Sequence, residues 1–384
     1  MKFFCEDEVE RLLPSADIHQ YIEIKEFDKN YGFASCPECG SDMIVDQNRK
    51  NYFCPNCGNS GDLIDYIMKY HHINYIDAVK TMNPTIKKKM ISWKEEKDKQ
   101  DLLYRIHSCT TDFYVSKINQ FVSKKYVKER QLSEQIIKDF KLGYSGPFND
   151  DLYQYLIKKG FTDTDLLYTD IIYQRNTEKL KTSKFKNKYF DKFFDRLMFP
   201  IFDKNGKVIA FSGRTLTNND SKYVNSSESL IFQKGDNLYG YHLAKKSKEN
   251  FMILVEGNVD VIMMHQYGFT NTVASLGTAL TPNQAKLLNK YQTIFIAYDN
   301  DEAGQKAIYK AIEIFSPLKK EIRVMNLAPY KDPDEFLKNL GAEEMKKRIS
   351  EAIDKETFME QYIANMDEEK RLEALEKFIL WEKK

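Results

Sequence analysis

Four of the six cysteines fall into two close pairs, Cys36-Pro-Glu-Cys39-Gly40 and Cys54-Pro-Asn-Cys57-Gly58, with fourteen residues between them. A structural Zn²⁺ takes four thiolate or imidazole ligands in a tetrahedron, and two tight turns can each present two sulfurs. The glycine closing each knuckle lets the backbone fold back around the ion. Four cysteines complete such a site, so His71-His72 is read as helix surface, and Cys5 and Cys109 as packing residues. Six cysteines in 384 residues are too few for a disulfide scaffold. The neighbours Tyr31, Arg49, Lys50, Tyr52 and Phe53 lean toward nucleic acid, through base stacking and phosphate contact.

A second constellation is acidic. Glu256-Gly257, Asp299-Asn-Asp301 and Asp332-Pro-Asp334 each follow an apolar run that reads as a strand. In a parallel sheet the carboxyl ends of the strands share one edge, so carboxylates far apart in sequence converge there. Residues two apart on extended chain project to one side, which lets Asp299 and Asp301 face a single ion. Oxygen ligands of this kind suit Mg²⁺ or Mn²⁺, and phosphoryl-transfer chemistry is then the natural candidate. The other reading of acids at strand ends is that they cap the helices that follow.

The third feature is basic. Between Arg175 and Arg196 eight Lys/Arg stand against three acids, interleaved with Phe185, Tyr189, Phe190, Phe193 and Phe194. That mixture fits a groove that tracks phosphates and stacks bases, and equally a solvated charged loop. Further on, Arg214, Lys222 and Lys234 sit beside glycine and polar residues in Ser212-Gly-Arg214, Ser221-Lys-Tyr-Val-Asn-Ser226 and Gln233-Lys-Gly235, which suits close approach to phosphate.

The elements that must hold these groups are legible in outline. Short turn-rich segments surround the cysteines, with Met43–Val45 and Asn51–Phe53 as candidate hairpin strands. The nearly all-charged Trp93–Asp101 suits a linker or a solvated helix start. Helices are expected over 102–140, then a hairpin in 197–211 turning at Asp203-Lys-Asn-Gly206. Phe251–Val255, Thr272–Leu276, Thr293–Tyr298 and Glu321–Leu327 alternate with helical windows at Pro282–Lys290 and Ala303–Phe315, which predicts a βα alternation and a mainly parallel, doubly wound sheet. From about 341 the chain reads as amphipathic helix, with Met359, Tyr362, Ile363 and Met366, then Leu372, Leu375 and Ile379. At 42% hydrophobic, 13% aromatic and 30% charged residues the composition is that of a globular protein. No run approaches the ~18 apolar residues of a membrane helix, and no secretory leader is evident, so a cytoplasmic protein without a membrane partner is expected. The net charge of +1 (58 Lys+Arg, 57 Asp+Glu) argues neither for nor against a polyanionic partner.

From about residue 16 to about 340 the sequence resembles the bacterial DnaG-type DNA primases. The resemblance is carried by Arg196–Arg214, Lys222-Tyr-Val-Asn-Ser226, Ile231–Gly240, Val255-Glu-Gly-Asn-Val-Asp260, Ala274-Ser-Leu-Gly-Thr278, Tyr298-Asp-Asn-Asp301 and Asp332-Pro-Asp334, in that order. The cysteine ribbon with Gly61–Tyr70 after it is similar to the family's template-reading domain. The resemblance implies a zinc ribbon (1–92), a basic N-terminal part of an RNA polymerase core (102–248), an α/β Toprim catalytic domain (249–340) and a helical C-terminal segment (341–384). It implies de novo synthesis of short RNA primers on single-stranded DNA from ribonucleoside triphosphates, by two-metal nucleotidyl transfer. Glu256, Asp299 and Asp301 would be central to the catalytic Mg²⁺ or Mn²⁺, with Asp260, Asp332 and Asp334 around them. Arg196, Arg214, Lys222, Asn225 and Lys234 would hold nucleotide or template.

Two features depart from the bacterial pattern. Cys39 stands where many bacterial members have a histidine ligand, giving an all-cysteine tetrad like that of phage primases, and the 45 or so residues after 340 do not hold the usual helicase-binding domain. A phage or mobile-element member, or a shortened form of a longer one, would account for both, and a replicative helicase is an expected partner only by family likeness. Two alternatives compete with a primase: a Toprim-type nuclease, and a non-catalytic single-stranded DNA-binding adaptor of replication.

Overall fold

The computed structural model describes residues 16–28, 31–48, 50–57, 59–71, 73, 75–84, 93–174, 188–217, 221–277 and 279–364. Most of the basic stretch, including Arg175, Lys179, Lys181, Lys184, Phe185 and Lys186, lies outside them, as do Met366, Leu372, Leu375 and Ile379. The chain divides into two compact units at Lys99/Gln100. That point falls inside a continuous helix, Trp93–Ser116, so the charged run is a helix start and not an extended linker.

The first unit is a five-stranded antiparallel meander, Glu26–Asp28, Tyr31–Ser35, Asp42–Asp46, Asn51–Phe53 and Ser60–Asp62, paired in sequence order. Alternation along the strands sends Ala34, Met43, Val45 and Tyr52 inward, against Leu63, Ile64 and Ile67 of helix Leu63–Tyr70 and Ala78 and Val79 of helix Tyr75–Met82. Asp62 starts the first of these helices in a capping box: its carboxylate accepts the Asp65 N–H at 2.9 Å, and Asp65 accepts the Asp62 N–H at 3.1 Å.

The second unit holds two larger sheets and a two-stranded antiparallel ribbon, Ile172–Gln174 with Tyr189–Asp191. One larger sheet, antiparallel, runs in the order Tyr223–Asn225, Val208–Thr215, Arg196–Phe202, Gly143–Tyr144. The central hairpin turns where the sequence predicts it. The Asp203 carboxylate accepts the N–H groups of Asn205 and Lys207, both at 2.8 Å, and Gly206 takes φ +84°.

The other sheet has strand order Thr272–Ala274, Phe251–Val255, Thr293–Ile296, Glu321–Val324, Ile353–Asp354, the first four parallel and the last antiparallel. Its strand Phe251–Val255 is buried on both faces, whereas Thr293–Ile296 and Glu321–Val324 are fully buried on one. Ile253 and Val255 enter a core with Val261, Met264 and Phe336, while Met252 and Leu254 enter another with Ile308, Ile312 and Phe315. The first core also takes in Phe140, Leu197, Phe199 and Ile201, so the two larger sheets of this unit share apolar packing. The strands are shorter than their apolar runs, because Tyr298, Met325 and Leu327 are buried in the turns beyond the strand ends. Past residue 340 the chain does more than form helix: helix Pro333–Ser350 breaks at Gly341 (φ +77°), and Ile353–Asp354 adds the edge strand before helix Lys355–Ala364.

Candidate active site and zinc centre

The two cysteine knuckles occupy turns at the same end of the meander, one after strand Tyr31–Ser35 and one after Asn51–Phe53. In the first, the Cys36 carbonyl accepts the Gly40 N–H at 2.9 Å with Gly40 at φ +72°; in the second, Cys54 N–H donates to the Asn59 carbonyl at 2.7 Å. The four sulfurs all lie within 4.8 Å of one another, with Cys36–Cys57 and Cys39–Cys54 each 3.6 Å apart. A tetrahedral Zn²⁺ with bonds of about 2.3 Å spaces its sulfurs by about 3.8 Å. The donor set therefore fits a structural zinc. The Ser41 amide, then Asn56, pull the Cys39 thiol down to about 6. At Cys57 the lowering amide of Asn59 is outweighed by burial and the other sulfurs, which push it up to about 12. Four sulfurs this close cannot all ionise without a cation among them.

The acidic groups gather at the carboxyl edge of the parallel sheet. Glu256 follows Val255 directly, and its Oε1 accepts the Asp299 N–H at 3.1 Å, which ties the ends of two adjacent strands together. Asp301 caps helix Glu302–Phe315 by accepting the Gly304 N–H at 3.0 Å, and Asp332 caps helix Pro333–Ser350 by accepting the Glu335 N–H at 2.8 Å. Capping and clustering thus coexist: Asp301 caps with Oδ1 and turns Oδ2 to Lys331. Burial, then Asp299, raises the Glu256 carboxyl, and burial, then Asp332, raises Asp299. Asp260, buried behind them on helix Asn258–Gln266, is raised well above its ordinary value by burial and by Asp332, Asp299 and Asp334. Asp301 by contrast is lowered, by the Gly304 amide and then by Lys331. This is an excess of negative charge in want of a cation.

One cation is already there. Lys331 Nζ lies 3.4 Å from Asp299 Oδ2 and 3.1 Å from Asp301 Oδ2, so the two carboxylates can share a positive charge, as a divalent ion would require. Among the described residues the cysteines alone bring three or more His, Cys, Asp or Glu ligand atoms within 4.8 Å of one another. Asp334 is engaged elsewhere. It is nearly buried, it pairs with Arg130 at the end of helix Phe121–Glu129, and Lys338 Nζ lies 2.7 Å from its Oδ1.

The basic residues also separate by role. Arg196 is buried and donates to the carbonyls of Gly213 (3.2 Å) and Ser221 (2.9 Å), which fixes the two strands that carry Arg214 and lead out from Lys222. Arg214 lies over the rings of Tyr126 (5.3 Å) and Tyr223 (5.7 Å) and donates to the Tyr223 hydroxyl at 3.3 Å. Lys222 is exposed, and Asn225 and Lys234 are half-buried. Residues that sequence reasoning passed over include Lys331, Arg130, Tyr126 and Gly304. A Cβ at Gly304 would stand 1.9 Å from the Asp299 carbonyl oxygen, so only glycine lets this helix start against the strand end. The signal was present in Asp301-Glu-Ala-Gly304, a helix start with glycine at its third position.

A zinc ribbon, an antiparallel core and a parallel sheet edged with carboxylates define a class of nucleic-acid enzymes, and comparison gives the family. Three family models match: CHC2 zinc finger over residues 6–100, DNA primase catalytic core, N-terminal domain over 113–245, and Toprim-like over 253–337. The DNA primase of Aquifex aeolicus is 34% identical, the alignment covering 95% of this chain and 72% of the relative. That of Clostridium acetobutylicum is 34% identical over 88% of this chain and 56% of the relative. The crystal structure of the Aquifex aeolicus primase zinc-binding and RNA polymerase domains superposes with TM-score 0.61 at 30% identity, covering 97% of this chain and 96% of that one. A DnaG primase catalytic domain bound to single-stranded DNA gives TM-score 0.62 at 31% identity, over 70% of this chain and 86% of that one. The chain belongs to the DnaG DNA primase family. It spans little more than half the length of several curated relatives, 56% and 62% in two of them. Although the segment 6–100 matches a CHC2 zinc finger model, the second residue of its metal-binding tetrad is Cys39.

Proposed function

We propose that the chain is a primase that makes short RNA primers de novo on single-stranded DNA from ribonucleoside triphosphates, as a DNA-directed RNA polymerase of the cytoplasm. The observation that carries this is the convergence of Glu256, Asp299 and Asp301 at the carboxyl edge of the parallel sheet, joined by the Glu256–Asp299 contact of 3.1 Å and the shared Lys331 ammonium. Glu256, Asp299 and Asp301 would hold divalent metal, Mg²⁺ or Mn²⁺, with Asp332 beside them and the buried Asp260 behind. Bound there, divalent metal stabilises the charge that develops on the attacking and leaving oxygens of an in-line displacement. The chain's own residues do the rest. Arg214, stacked on two tyrosines and held at its hydroxyl partner, presents a fixed cation for phosphate; Lys222, Asn225 and Lys234 extend that polar surface; Arg196 keeps the strands in register.

The ribbon supplies a template contact. Phe33, Ile44 and Phe53 stand directly opposite one another across three strands on the outer face, each at least 36% exposed, with Tyr31 beside them. A flat apolar row of this kind suits stacking of unpaired bases.

The test is primer synthesis from labelled ribonucleotides on mixed-sequence single-stranded DNA, beside the Asp299→Ala/Asp301→Ala protein. Loss of metal-borne charge stabilisation costs several kcal/mol, on the order of 10³-fold in rate. Equal synthesis by both proteins would overturn the site. Nicking of DNA without nucleotides would instead indicate a Toprim-type nuclease, and metal-independent DNA binding without incorporation an adaptor.

A further inference from the structure

Lys331 stands in the loop between strand Glu321–Val324 and helix Pro333–Ser350, and its two ends behave differently. Its backbone is fixed: the carbonyl accepts the Asn300 N–H at 2.7 Å, and the N–H donates to Glu335 Oε2 at 3.0 Å. Asn300 lies between the two acids, so the main-chain bond seats Lys331 beside Asp299 and Asp301 whatever its side chain does. The side chain is 57% exposed, and its ammonium pairs with those two carboxylates. A long flexible stem on a fixed base can deliver its ammonium or withdraw it toward water.

The carboxylates need the charge. Asp299 is half-buried and close to Asp332, and Glu256 lies on its amide. Without a cation, ionised Asp299 and Asp301 would repel each other and their neighbours. A divalent ion would draw on the same oxygens at about 2.1 Å, closer than an ammonium approaches and with twice the charge. Both cannot be served at once by Asp299 Oδ2 and Asp301 Oδ2.

We propose that Lys331 is a built-in counter-cation that holds Asp299 and Asp301 together before metal arrives and is exchanged for the divalent ion when it binds. This rests on the reading that Glu256, Asp299 and Asp301 hold the catalytic metal. Lys331 is then a positioning residue that sets how much free metal is needed to arm the site.

The experiment is titration of the full zinc-loaded chain with Mn²⁺, free ion being followed by electron paramagnetic resonance in the absence of nucleotide and DNA. Exposed ion pairs are individually weak, so freeing both carboxylates in Lys331→Met should tighten Mn²⁺ binding by about 3- to 10-fold. Lys331→Arg, which keeps the charge, should stay close to the native affinity. Lys306→Met removes an exposed cation of the neighbouring helix that pairs with Glu302, and should leave the affinity unchanged. The melting temperature without metal should fall in Lys331→Met, and the rise on adding saturating Mn²⁺ should be larger than in the native chain. Unchanged or weaker Mn²⁺ binding by Lys331→Met, or an equal gain in Lys306→Met, overturns the exchange. Asp299→Asn separates the two failures. If it abolishes Mn²⁺ binding while Lys331→Met has no effect, the metal site stands and the exchange falls; if it leaves binding unchanged, the metal site itself is refuted and the exchange with it.

Discussion

The ribbon and the carboxylate edge both carry donor sets suited to metal, and they are built in opposite ways. The ribbon's ligands come from two turns, and their sulfurs already stand within bonding reach of one ion. The edge draws Glu256, Asp299, Asp301 and Asp332 from beyond the ends of three strands, anchors three of them by backbone amides, and sets a lysine against Asp299 and Asp301. A closed set of soft ligands serves folding, because no oxygen or substrate need ever enter. An open set of hard ligands, pinned by one oxygen each and short of a cation, leaves room for ions that keep water or phosphate among their partners.

The sharpest way to break this comparison is to take the zinc away. Cys54 is fully buried within the ribbon's core, next to Tyr52, Ala34 and Met43. Structural zinc contributes on the order of 10 kcal/mol to small domains of this kind. Cys54→Ser should therefore lower bound zinc from about one ion per chain to none, by elemental analysis. Residues 16–84 should lose hydrogen-exchange protection, while the helices and sheets after residue 100 keep theirs. A ribbon that stays protected without zinc would mean its small apolar core suffices, and the contrast between a folding metal and a working metal would collapse.

What could be read from the sequence follows the same division. The zinc knuckles were legible because their ligands are set by local turns, in which residue type and spacing nearly determine geometry. The parallel sheet was legible because Phe251–Val255 is an apolar run without alternation, as a strand buried on two faces must be, and short apolar runs recur between helical windows after it. The approach of Glu256 to Asp299 followed from topology. Other features depended on contacts that no spacing encodes. Arg130 meets Asp334 across 204 positions of sequence. Arg196, read as a nucleic-acid contact from the company of other cations, is spent on two carbonyls inside the sheet. A charged residue in a basic run looks the same in sequence whether it faces phosphate or the chain's own backbone.

Acid offers a finer test, because the second unit buries neutral histidines. His242 is stacked on Phe202 at 4.0 Å, and burial, helped by Lys246, pulls its pKa down to about 3. His107 and His265 are each lowered to about 4, chiefly by burial. An unfolded histidine titrates near 6.5, so the stability tied to His242 is fully present above that pH and is lost as pH falls toward 3. His242→Phe keeps the apolar contacts and removes the titration. Its stability relative to the native chain should rise by roughly 2–3 kcal/mol between pH 6.5 and 4.5, from paired urea melts at each pH. Carboxylates common to both proteins cancel in that difference. Added zinc should oppose acid loss of the ribbon, whose thiolates compete with protons, and leave the His242 effect untouched. A pH-independent difference would place a charged or solvated imidazole at this position.

The smallest expected effect separates the two units by the kind of force each applies to DNA. Phe33 and Phe53 are 42% and 49% exposed and belong to no core, so Phe33→Ala and Phe53→Ala should change folding stability by no more than about 0.5 kcal/mol. Base stacking on an aromatic ring contributes about 1–3 kcal/mol, so each change should weaken single-stranded DNA binding by at least about 5-fold. Stacking releases no counterions, and the slope of log K against log salt should stay as in the native chain. Arg214→Ala should do the reverse, reducing that slope by about 1 through loss of one phosphate contact. The two measurements, made by fluorescence anisotropy over one salt series, assign bases to the ribbon and phosphates to the core. If Phe33→Ala flattened the salt slope, or Arg214→Ala left it unchanged, the units would not divide the strand in this way, and the aromatic row would need another occupant.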